Sequence, residues 1–201
     1  MVLTLAAVSG LLYVVAVIMF FALHLREPAV NWFRDPVSMY ALGPGGRYFR
    51  IYAHVGTAAA GLLAGVFAIS KSPTIPSVAT VSMLLLLAFR LGVVLVPTDK
   101  QGSPRTSTGR LHLLFAVATF AATYTAIANA SPILSAHSSV HLSAVLSWLQ
   151  VTAMLSLAGV VATMFPPLKQ LFGLLERVFL LSTMLWFIAA NAQFLLAASA
   201  A

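Results

Sequence analysis

The sequence predicts an all-α polytopic membrane protein: a bundle of six transmembrane helices with an interfacial or re-entrant segment in its first charged loop. Three observations predict it. The 201-residue chain is 61% hydrophobic and only 7% charged, against about a quarter charged in an ordinary soluble domain, so most of its surface must avoid water. Six apolar runs, near 3–24, 51–70, 77–97, 111–130, 141–165 and 178–199, have the length of roughly 20 residues that a spanning helix needs. Nine of the eleven Lys and Arg residues, and all four acids, fall between or beside those runs on what should be one side of a membrane. The length suits a single domain over 1–201.

The first run has no basic segment before it and is too long for the core of a signal peptide, so a retained first helix is expected. The second carries Thr57, Gly61 and Gly65 at four-residue spacing, a register in which small residues let helices approach closely. Packing inside the chain is the expectation there, ahead of a dimer interface. The third run contains Arg90. The fifth is interrupted by serines and Gln150 and stops at Pro166-Pro167, which cannot comfortably continue a helix. Glu176 and Arg177 open the sixth, where the helix dipole favours a carboxylate.

Loop one holds Arg26, Arg34, Arg47 and Arg50; loop three Lys100, Arg105 and Arg110; loop five Lys169 and Arg177. The opposite loops hold only Lys71. The positive-inside rule then makes loops one, three and five cytoplasmic and sends both termini outward. A net charge of +7 this sparse and clustered does not describe a nucleic-acid domain. The absence of cysteine excludes disulfides, thiolate metal sites and a Cys nucleophile.

Residues 26–50 are too many and too apolar for a simple connector. Asp35-Pro36 followed by Val-Ser-Met-Tyr-Ala-Leu suggests a short capped helix ending at Gly43, with Asp35 accepting its free N–H groups. The aromatic residues around it suit the headgroup zone. Arg90 lies about seven residues from the inner end of its run, or ~10 Å deep. A guanidinium there costs about 2–3 kcal/mol unless it snorkels or pairs. A carboxylate partner is the sharper expectation, with Asp35, Asp99 and Glu176 on the same side. Asp99 is also a natural turn residue. Thr106, Ser107 and Thr108 are placed to cap the fourth helix. His112 follows in its first turn, where the dipole disfavours the charged imidazole. His54 begins the second run at a similar depth, but no second matched pair supports a haem. His137 and His141 share a helix face at the outer end, away from every carboxylate, so no metal site is expected.

Three segments together resemble a known family. Leu25-Arg26-Glu27-Pro28 with Arg34 to Gly43 resembles the first signature of the bacterial domain of unknown function 998 family. Pro97-Thr98-Asp99 with Thr106 and Gly109-Arg110-Leu111-His112 resembles the second. Gly173-Leu174-Leu175-Glu176-Arg177 with Trp186 is similar to the third, where the acidic position varies. The resemblance covers nearly the whole chain. It implies an integral membrane protein of about six helices, in a bacterial cytoplasmic (inner) membrane, without an established activity.

The candidate site is therefore a polar cluster at the cytoplasmic mouth. Asp35, Ser38, Asp99 and His112 are the candidate catalytic groups, able to act in acid–base or nucleophilic chemistry. Arg34, Arg50, His54, Arg90, Arg110 and Glu176 are the candidate ligand-binding groups, the arginines suited to a phosphate. No cofactor is implied. The expected partners are membrane lipids and an amphipathic or phosphate-bearing small molecule. A sensing or accessory module that binds such a ligand requires least. A membrane-embedded enzyme acting on a lipid or isoprenoid phosphate is the alternative. A small transporter is a further one, against which the midplane is nearly free of ionisable groups and no inverted repeat is visible.

Overall fold

The computed structural model describes residues 1–71, 73–100 and 102–199. The protein is all-helical there, with six helices long and apolar enough to cross a membrane: α1 Val2–Arg26, α2 Gly46–Ile69, α3 Ser77–Leu95, α4 Ser107–Ala136, α5 Val140–Ala162 and α6 Phe172–Ser199. Short 3-10 segments, Val37–Leu42 and Pro166–Leu171, lie before α2 and α6.

Each helix packs on the next in sequence, and α6 returns to α1, so the six form a closed ring. The ring is filled unevenly. About half of the apolar stretch of α2 (56%) and of α6 (50%) is buried, against 22% for α3 and α5. On α1 the division is periodic. Ala6, Ser9, Tyr13, Ala16, Phe20 and Leu23 face inward at spacings of three and four, while Leu11, Ile18 and Leu25 form an outward stripe seven residues apart. Tyr13 stacks on Phe187 at 5.1 Å and Phe187 meets Trp186 edge-on, which ties α1 to α6 at the core.

The helices overrun their apolar segments. α2 begins at Gly46 rather than 51, α4 runs from Ser107 to Ala136 rather than 111–130, and α6 begins at Phe172 rather than 178. α5 ends at Ala162, ahead of the proline pair. The added turns are polar but satisfied. Thr106 caps α4 through its hydroxyl, which accepts from Gly109 N at 3.0 Å. The carboxylate of Glu27, at the end of α1, accepts the Gly45 N–H that opens α2. It lies so close to Gly43 and Gly45 that a side chain at either would collide with it.

The small residues of α2 do pack inside the chain. Gly56 meets Arg90 and Gly61 meets Leu87, both on α3, and Gly65 meets Leu5 of α1.

Candidate functional site

Loop one is held down by the first turns of α6. Leu174 N donates to Phe33 O at 3.1 Å. Glu176 Oε2 accepts from Val37 N at 2.7 Å. Arg177 Nη1 donates to Asp35 O at 2.7 Å and to Gly173 O at 2.9 Å. A side chain on Gly173 would lie 2.6 Å from Asp35 O and 2.7 Å from Trp32 O, so only glycine lets the loop backbone lie directly on the helix. Arg177 is only 6% exposed, and it makes two further bonds: Nε reaches His24 Nε2 at 2.7 Å and Nη2 reaches Tyr40 Oη at 3.2 Å. A guanidinium only donates, so Nε2 of His24 is the acceptor and Nδ1 carries the proton, which it gives to Phe20 O at 2.6 Å. Trp32 stands edge-on to that imidazole with ring centroids 4.7 Å apart.

This arrangement corrects one expectation. Asp35 does not cap the Val37–Leu42 segment. Its side chain turns back to accept from Asn31 N at 2.9 Å, and Glu176, remote in sequence, takes the Val37 N–H instead. Asp99 is used in the same way. It accepts from Thr106 N at 2.8 Å and Thr106 Oγ1 at 2.7 Å, and it lies directly against Gly109. Since Thr106 gives its one hydroxyl proton to the carboxylate, the 2.8 Å contact with Thr108 Oγ1 has Thr108 as donor. These hydrogen bonds, led by the Thr106 hydroxyl, hold the exposed Asp99 carboxyl below the usual carboxylate range. Each of the four acids in the chain, Glu27, Asp35, Asp99 and Glu176, thus accepts a backbone N–H.

Behind the loop-one cover lies a cavity of about 90 Å³, lined in part by Ser38, Arg90, His112, Thr119 and Glu176. Its remaining walls are largely apolar, with Val37, Phe49, Phe120 and Leu180 among them. It shares Phe49, Ala53, Val93, Val94 and His112 with a second cavity of about 150 Å³. That one is bounded by Ala41, Leu42 and Arg50 on one side and Val96, Pro97 and Thr98 on the other, so loops one and three meet at this end of the bundle.

Arg90, His112 and Glu176 come from α3, α4 and α6, each within about one and a half helical turns, or ~8 Å, of a helix end. The carboxylate expected beside Arg90 is not its partner. Its Nε donates to Thr57 Oγ1 at 3.4 Å, the guanidinium rests against Gly56, and no other hydrogen bond of Arg90 is formed among the described residues. His112 is buried and its Nδ1 donates to Val96 O at 2.8 Å, because a carbonyl can only accept. In the neutral ring that bond selects the tautomer with the lone pair on Nε2. Thr119, deeper in α4, has a buried hydroxyl with no hydrogen-bond partner among the described residues.

Of the residues singled out in the sequence, Ser38, Arg90, His112 and Glu176 therefore meet at one cavity, and Arg50 lines its extension. Asp35, Asp99, Arg34, Arg110 and His54 line neither, and the last three are exposed. Thr119, Tyr52 and the Arg177–His24 pair escaped sequence reading. Thr119 and Tyr52 resemble any other polar residue inside an apolar helix. His24 and Arg177 are 153 positions apart, and only an outlying basic residue within a helical turn hints at either.

The sequence model of a family described as "Protein of unknown function (DUF998)" matches residues 7–192, and the chain belongs to that family. No curated protein and no solved structure matches it.

Proposed function

We propose that this membrane protein binds the headgroup of a lipid or other amphipathic molecule in the cavity beneath loop one, as a sensing or accessory module. The carrying observation is convergence. Five polar side chains from loop one, α3, α4 and α6 line one largely apolar cavity, the mixture expected of a ligand site. The cavity's volume is well below the ~300 Å³ at which pockets for whole drug-sized ligands begin. It suits a headgroup, with the acyl chains left in the bilayer. Arg90 is the anchor, since it faces the cavity with one long hydrogen bond and no carboxylate. The basic loops lie on the cytoplasmic side in this reading, by the positive-inside rule, and both termini lie outside. The surrounding Arg and Lys residues would add about 1 kcal/mol each toward anionic lipid near the surface.

The test is lipid retention. Purified protein in mild detergent is compared with Arg90→Gln by native mass spectrometry. Retained amphiphile in the parent and its loss in the folded variant support the reading. Equal retention in both overturns it.

A second reading, a membrane enzyme acting on a lipid or isoprenoid phosphate, draws on His112. Its Nδ1 is tied to Val96 O, so Nε2 has the lone pair of a general base in a cavity that also holds Ser38 and Glu176. His112→Gln and Ser38→Ala test it by the membrane lipid profile of cells that carry them. An unchanged profile in both folded variants removes it.

A further inference from the structure

We infer that the ligand headgroup is a zwitterion bearing an anionic oxygen group and a primary ammonium. This rests on the cavity-binding reading above and names its chemistry. Two opposite charges, Arg90 and Glu176, line the same cavity. Neither is neutralised by the other. Arg90 is bonded to the Thr57 hydroxyl and Glu176 to the Val37 N–H, both neutral groups. The neighbouring Arg177 offsets part of the Glu176 charge through space, but its own hydrogen bonds go to His24, Tyr40 and two backbone carbonyls, so Glu176 Oε1 is left for a ligand. The cavity is thus lined by one basic and one acidic side chain. An uncompensated charge in an apolar surrounding is costly. A purely anionic headgroup would relieve Arg90 and leave its own charge close to Glu176. A zwitterion compensates both.

The hydrogen-bonding inventory separates a primary ammonium from a quaternary one. Glu176 Oε1 and the Nε2 lone pair of His112 are acceptors without a partner among the described residues. The Thr119 hydroxyl also lacks one. A primary ammonium brings three N–H donors to such a set, and a trimethylated one brings none. The anionic oxygens fall to Arg90, which can offer two parallel N–H groups to a phosphate or carboxylate. A phosphoethanolamine lipid headgroup carries this chemistry, and so does a free amino acid.

The experiment uses the full chain, stripped of lipid in detergent and titrated separately with phosphatidylethanolamine, phosphatidylglycerol, phosphatidylcholine, free phosphoethanolamine and glycine. Native mass spectrometry and thermal shift are the readouts. The expected result is tighter binding of phosphatidylethanolamine than of the other two lipids by about tenfold, the scale of one charge-assisted hydrogen bond. Glu176→Gln keeps an oxygen to accept from Val37 N, so loop one stays in place. It should abolish the preference over phosphatidylglycerol while still binding lipid. Binding of the free zwitterions without the lipids keeps the charge pattern and assigns a soluble source. Equal or tighter binding of phosphatidylglycerol by the parent chain, lost in Arg90→Gln, overturns the zwitterion and leaves the cavity-binding reading standing. No binding of any amphiphile or zwitterion overturns both.

Discussion

Arg177 and His24 join across the bundle: the guanidinium Nε donates to the imidazole Nε2 at 2.7 Å, inside a site where Arg177 is only 6% exposed. The pair links the C-terminal end of α1 to the first turns of α6. The remaining donors of the same guanidinium pin loop one through Asp35 O and Tyr40 Oη. One cation therefore holds three segments, and it does so without a carboxylate.

Arg177→Lys should be strongly destabilising, because an ammonium on a flexible stem cannot reproduce the planar fork that reaches four acceptors. A loss of about 3–5 kcal/mol is expected, as for other broken buried charge networks. His24→Ala should cost about 1–3 kcal/mol by leaving one Arg177 donor unsatisfied. Denaturant unfolding in a single detergent, run as a double-mutant cycle, should show that the two losses are not additive. Additivity within about 0.5 kcal/mol would mean that the pair is not energetically coupled.

Gly173→Ala and Gly61→Ala should differ in sign. The first places a methyl 2.6 Å from Asp35 O and 2.7 Å from Trp32 O, two backbone atoms with little freedom to move. A loss of about 1–3 kcal/mol is expected, together with faster protease cleavage in loop one. The second places a methyl 3.6 Å from Leu87 Cδ1, an ordinary contact. It should be neutral or stabilising by up to about 1 kcal/mol, through the better helix propensity of alanine. Thermal unfolding of the two variants side by side is the check.

Gly56→Ala should separate binding from folding. Its methyl would lie 2.5 Å from Arg90 Nη2, the mobile end of a long side chain. The guanidinium can swing away from Thr57, so stability should change by less than about 1 kcal/mol. Lipid retention should still fall, because the anchor has moved. A variant that binds as the parent does would show that the Thr57-bound position of Arg90 is not the one that matters.

Loop three should have its own acid dependence. The Thr106 hydroxyl and N–H hold the Asp99 carboxyl below its ordinary value. A carboxyl depressed in the folded state contributes stability that is present above its unfolded pKa and lost as the pH falls through the lower folded value. The difference in stability between the parent chain and Thr106→Val should therefore shrink as the pH is lowered below the ordinary carboxylate range. A difference that is constant from neutral pH to strongly acidic pH would show that Asp99 does not respond to Thr106.

The site was partly legible. Glycines and threonine along α2 announced close packing, and the structure places Arg90 and Leu87 against them. Ser38, Arg90, His112 and Glu176 were visible as scarce polar groups near one end of an apolar chain, and they share a cavity. Asp35 and Asp99 are equally scarce polar groups at that end, and their carboxylates accept backbone N–H groups. Nothing in residue type distinguishes a carboxylate that faces a cavity from one that satisfies a nearby N–H. The choice depends on which loop amides are left without partners, and that follows only from the folded path of the loop.

Composition by itself determined that the chain is helical and crosses a membrane six times, because backbone polar groups in hydrocarbon must be satisfied within each segment. It also determined that the charged groups gather at alternate loops. Tertiary structure decided the rest. It decided where helices end, since polar turns such as Ser107–Arg110 and Phe172–Arg177 stay helical once Thr106 caps one and loop one docks on the other. It also decided which charges meet. Arg90 turned to Thr57 and Arg177 to His24, because partners at membrane depth are set by helix adjacency and register, which join residues far apart along the chain.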